Sequence, residues 1–142
     1  MSIPAPLNGE MRDLMAKAVR SRSGEKVEPV VSAVASILRG AEEGLRTEGL
    51  PDAVLELRLG WQSNLGMRYP AFLRNERNTF EQPLFSIYVN GSELAFQAEG
   101  SVFENLQEKD LLDKVSEYLL RDYVVEFMTG LLRQFQAQIA HP

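Results

Sequence analysis

The hydrophobic repeat of this chain changes period at Gly49-Leu50-Pro51, and no other feature constrains its fold as much. Upstream, Val30, Val34, Ile37, Leu38, Ala41 and Leu45 recur at helical spacing, and Pro29 suits a first helical turn, where its missing N–H would have no partner. The spacing predicts a helix over 29–48. Downstream, Ala53, Leu55, Leu57, Leu59 and Trp61 alternate with Val54, Glu56 and Arg58, the pattern of a half-buried strand. Helical and strand segments that are segregated along the chain belong to the α+β class.

Two hairpins are expected in residues 53–98. In the first, a loop of Gln62, Ser63 and Asn64 sets Trp61 opposite Leu65, Leu59 opposite Met67 and Leu57 opposite Tyr69. Pro70 then ends the pairing or confines it to an edge. In the second, Asn90-Gly91 forms a type I′ turn between residues 84–89 and 92–98, placing Phe85 opposite Phe96 and Ile87 opposite Leu94. Ser86, Tyr88, Glu93 and Ala95 fall on the other, more polar face. The expected architecture is a four-stranded antiparallel meander with helices packed on one side.

The remaining segments are also helical. Leu7, Met11, Leu14, Met15 and Ala18 mark a helix over 8–20, followed by a polar loop over 21–28. A long helix is expected over 108–138, with Glu108, Asp110 and Asp113 near the positive end of its dipole. Its apolar side chains form two stripes: Leu111, Leu112, Val115, Tyr118 and Leu119, then Met128, Leu132, Phe135 and Ile139 about a third of a turn away. A single straight seam does not drift that far, so the helix is expected to bend near Gly130 or to change partner. The displaced stripe either meets a different part of the same core or suits a homodimer interface formed by Met128, Leu132, Phe135 and Ile139. At 142 residues, the sequence fits one domain, 1–142.

Composition narrows the chemistry. There is no cysteine, and the single histidine is His141, which excludes disulfides, thiolate metal sites and thiol nucleophiles. The net charge is −5, with eleven basic and ten acidic side chains in residues 1–80 but four and ten in 81–142. That balance argues against a nucleic-acid partner. With neither a leader-like N-terminus nor a long uncharged apolar run, a cytoplasmic protein without membrane contact is expected. The sequence holds no G-x-G-x-x-G, Walker lysine loop, H-E-x-x-H or G-x-S-x-G, and no cofactor is expected. Ser23 to Lys26 matches S-x-x-K only formally, inside a polar loop.

Two constellations remain. Trp61, Arg68, Tyr69, Phe72, Arg74 and Arg77 combine the residue types enriched at binding hot spots, and residues 74–82 are polar enough to form a mobile loop. They point to a non-enzymatic protein-binding module of assembly-chaperone, adaptor or inhibitor type, acting as a homo-oligomer with another protein as partner. The first alternative is a carboxylate- or metal-dependent enzyme using Glu99, Glu104, Glu108, Asp110 and Asp113, although their spacing matches no EF-hand. The second is a small-molecule pocket between sheet and helices.

Overall fold

A computed structural model of the chain describes residues 29–140, with side chains through residue 136. The expected helix over 8–20 and loop over 21–28 lie outside the described residues. Helix α1 (Pro29–Thr47) is followed by strands β1 (Ala53–Leu57), β2 (Gln62–Ser63), β3 (Gly66–Asn75), β4 (Glu81–Asn90), β5 (Glu93–Ala98) and β6 (Ser101–Leu106). Helices α2 (Glu108–Leu120) and α3 (Asp122–Ala140) complete the described chain. The antiparallel sheet runs in the order β1-β3-β4-β5-β6, with β2 paired to β3, so the α+β class holds. The sheet has more strands than the four expected, because β2 and β6 join it.

Helix α1 buries Val30, Val34, Leu38 and Leu45, the face that the spacing marked. It also guards the edge of the sheet. Glu42 accepts the N–H of Leu55 at 2.9 Å, and Arg46 Nε donates to the carbonyl of Ala53 at 3.0 Å. An edge strand presents unpaired N–H and C=O groups, and here two of them are satisfied by helix side chains.

The first hairpin differs from its expected register. Leu57 pairs with Ala71 and Leu55 with Leu73, while β2 pairs Gln62 with Met67 across a turn of Asn64-Leu65. Between these ladders, Arg58 N–H bonds the carbonyl of Pro70 and Arg68 N–H bonds that of Trp61. Leu59 and Gly60 therefore oppose Tyr69 alone, a bulge with one extra residue. Because side chains alternate with period two, one extra residue turns Trp61 away from the core face. Only glycine fits at this bulge: a Cβ on Gly60 would lie 1.9 Å from the carbonyl oxygen of Arg68.

Pro70 is not at an edge. It lies in β3, between β1 and β4. In an antiparallel strand the N and C=O of one residue point to the same side. Since its carbonyl meets Arg58, the missing N–H faces the frayed end of β1 and not β4.

In the second hairpin, Ile87 pairs with Phe96 and Val89 with Leu94. The register is two residues from the expected one, so the faces are kept. Gly91 has φ +60, and Ser92 is not in the left-handed region, which fits a II′ turn at Gly91-Ser92 better than I′ at Asn90-Gly91. The expected mobile loop over 74–82 shrinks to residues 76–80, since β3 continues to Asn75 and β4 begins at Glu81. Buried Asn75 closes it by accepting the N–H of Thr79 at 2.8 Å.

The C-terminal helix breaks at Arg121, and Gly130 lies inside α3. Arg121 is extended at φ −66 and ψ 135; its carbonyl accepts the N–H groups of Val124 and Val125 and so starts α3. The change of direction solves the two-stripe problem within the chain. Met128 and Leu132 are 1% and 4% exposed and join the core with Val124. Phe135 is half-buried, its ring stacked on Phe80 at 4.7 Å. Met128 and Leu132 thus meet the chain's own core, the first of the two expected readings, and do not face outward as an interface; the side chain of Ile139 lies outside the described residues.

Candidate binding surface

The sheet has two unequal faces. Ala53, Leu55, Ala71, Leu73, Phe85, Ile87, Leu94 and Phe96 form a continuous core with the buried side chains of all three described helices. The opposite face carries Val54, Glu56, Phe72, Arg74, Arg68, Tyr88 and Ala95, none of which joins that core, although Val54, Tyr88 and Ala95 are themselves only 3%, 6% and 3% exposed. Among the described residues no helix covers it.

At the β1 end of this face, charges are paired in a chain. Glu56 accepts from Arg58 Nε at 2.6 Å and from Arg74 Nε at 3.1 Å, and Arg58 also donates to Glu81. The guanidinium carbon of Arg58 lies 4.0 Å from the centroid of Phe72. Burial works against the charge on Arg58, but its hydrogen bonds to Glu81 and Glu56 outweigh that and raise its pKa above the ordinary value. The same bond holds the carboxyl of Glu81 below the usual range. These side chains stiffen the face, since each is a partner of the next.

The neighbouring part of the face is differently built. The bulge at Leu59-Gly60 sets Trp61 opposite Arg68, with the guanidinium carbon 4.8 Å from the ring centroid. Trp61 remains 55% exposed. Arg68 Nε donates to Ser86 Oγ at 2.9 Å, and Arg68 pairs in register with Tyr88. Tyr88 in turn donates to Gln97. No carboxylate pairs with Arg68 among the described residues.

Of the six residues singled out from sequence, the structure brings Trp61, Arg68, Phe72 and Arg74 onto one face. Tyr69 lies on the other side of β3, 6% exposed in the core, and Arg77 is exposed in the β3–β4 turn. Sequence reasoning missed Glu56, Arg58, Glu81 and Tyr88 as members. The signal was there: Glu56 and Arg58 alternate out of the apolar face of β1, as Tyr88 does in β4.

The acidic residues do not converge. Glu99 sits in the β5–β6 turn and accepts from the hydroxyl of Tyr123, while Glu104, Glu108, Asp110 and Asp113 are exposed on β6 and α2. Among the described residues no three Asp, Glu or His side chains cluster as metal ligands. A shallow cleft between β5–β6 and α2, lined by Phe96, Phe103, Lys114, Glu117, Tyr118 and Arg121, encloses about 120 Å³. Pockets for drug-sized ligands measure roughly 300–1,000 Å³.

No described helix is long and apolar enough to cross a membrane. Compared with protein-family models, curated proteins and solved structures, the chain matches none of them.

Proposed function

We propose that the chain is a protein-binding module of adaptor, inhibitor or assembly-chaperone type that engages its partner through the part of this sheet face around Trp61. The observation that carries this reading is Trp61, a large apolar ring turned outward by a bulge and held beside an arginine that has no acidic partner among the described residues. Trp and Arg are the residues most often found as binding anchors, and a face with ordered side chains loses little freedom on docking. The enzyme and small-molecule alternatives find less support, because the carboxylates are dispersed and the cleft is small.

The test is affinity capture from native lysate, read by quantitative mass spectrometry, with the wild-type chain and a Trp61→Ser, Arg68→Glu variant. The reading expects a protein enriched by the wild type and lost from the variant, with the unfolding midpoint nearly unchanged because both positions reach solvent. Equal capture by both chains overturns it.

Self-association is part of the same reading, favoured by a separate observation. Strand β6 ends the sheet with Val102 and Phe103 42% and 43% exposed, whereas the β1 edge is guarded by α1. An open edge of this kind accepts another strand, and a second copy supplies one.

A further inference from the structure

We propose that Arg68 and the exposed ring of Trp61 together form a seat for a carboxylate of the partner protein, carried on a segment that lays an apolar side chain against the indole. The inference rests on the surface around Trp61 being the docking site and adds the chemistry that the partner must bring.

Three arginines lie on this face, and two have their charge matched: Arg58 and Arg74 share Glu56, and Arg58 also holds Glu81. Arg68 alone of the three has no ion-pair partner among the described residues. Its Nε–H is committed to Ser86 and one flat side lies against Trp61, so the terminal nitrogens are left in a fixed plane. A guanidinium offers five N–H donors in a fork that matches a carboxylate with two parallel bonds. Anchoring the base of the fork and stacking it on an indole removes most of the freedom that such a bond would otherwise cost.

Charge complementarity selects the class of partner. The seat is one uncommitted cation on a chain of net charge −5. A long polyanion would meet repulsion from the rest of the surface, whereas one carboxylate meets the local positive potential. Beside the seat, Tyr88 and Ala95 are 6% and 3% exposed, so the apolar contact open to the segment that bears the acid is the ring of Trp61, 55% exposed.

Trp61 is the only tryptophan, so its fluorescence reports on this seat. The experiment selects binders from a random peptide library displayed on phage, then titrates each synthetic peptide against the full chain. The expected peptides carry an Asp or Glu, and shift the Trp61 emission saturably. Replacing that acid by Asn or Gln is expected to weaken binding about tenfold, the scale of one hydrogen bond to a charged group. In Arg68→Gln the acidic and amide peptides should bind alike, and Arg68→Lys should recover only part of the difference, because it lacks the planar fork. Peptides that bind the face with no dependence on an acid overturn the carboxylate seat and leave the docking face standing. Failure of any selected peptide to move the Trp61 signal overturns the seat and the docking face together. An oligothymidylate that displaces the selected peptides at lower concentration also overturns it, in favour of a nucleic-acid site.

Discussion

The hydroxyl of Tyr118 donates to the carbonyl of Leu84 at 3.2 Å. Leu84 is the residue that the bulge in β4 leaves without a β3 partner, because Ala71 pairs with Phe85 and Phe72 with Pro83. The bond therefore satisfies a carbonyl that the sheet cannot, and it also ties α2 to the strand. Burial, with Glu99 and Tyr123 nearby, pushes the Tyr118 phenol up to about 12 from an ordinary 10.0. A phenol raised in the fold contributes in full below pH 10 and loses that contribution as pH rises through about 12. Tyr118→Phe is expected to cost about 0.5–1.5 kcal/mol near neutral pH, the net value of one hydrogen bond. Urea unfolding between pH 9 and pH 12 should then show a steeper alkaline loss for the wild type than for the variant; parallel curves would mean the phenol is not buried as described. Little of this was legible in the sequence. Tyr118 was correctly placed on an apolar stripe, but a bulge opposite it has no local signature. Trp61 and Tyr69 show the same limit: both read as strand aromatics, and the extra residue at Gly60 sends them to opposite faces.

Elements were legible where one period ran unbroken. Helix α1 emerged almost to the residue because its six apolar positions share a face and Pro29 and Gly49 bracket it. Faces of the strands survived a register error of two, since a shift by an even number returns each side chain to its side. What failed were the discontinuities. Arg121 is an ordinary helix former, so its extended backbone could not be read from propensity. Strand β6 follows a turn in which Glu99 adopts φ +54, a conformation that costs a residue with a Cβ about 1–2 kcal/mol and so gives no turn signal. Here Tyr123 holds the carboxylate of Glu99 and helps to fix that turn. On α3 the drift of the second stripe was real, and for Met128 and Leu132 the covering surface is the chain's own core, one of the two readings that the pattern allowed. Leu132→Ala is accordingly expected to destabilise the domain by about 2–5 kcal/mol, the range for emptying a buried leucine site. Chemical denaturation measures this, and a loss below about 0.5 kcal/mol, the size of an ordinary surface change, would return Leu132 to the surface.

On the scale of the molecule, the asymmetry of the two sheet edges sets how copies can meet. At β1, Glu42 and Arg46 occupy backbone groups that a second strand would need, and Arg46 is itself held by Glu76 at 2.9 Å. Residues 101–105 of β6 are exposed, with no lysine or proline among them to discourage pairing. The bulge near Asn105, at φ +56, disrupts only the last part of the strand. Two β6 strands related by a two-fold axis would pair antiparallel and bring Val102 and Phe103 of both copies under cover, joining two sheets into one. The net charge of −5 opposes association at long range and is screened by salt. Sedimentation equilibrium should therefore find two chains per particle, with the dimer fraction rising with salt. Val102→Lys places a charge on the edge at a position already exposed, so it should return the protein to one chain with little change in unfolding midpoint. A wild-type chain that sediments as a monomer at all salt concentrations removes self-association from the reading. A dimer that Val102→Lys leaves intact moves it to another surface. Of those, the exposed Leu120, Tyr123 and Phe127 around the α2–α3 break are the next to be tested.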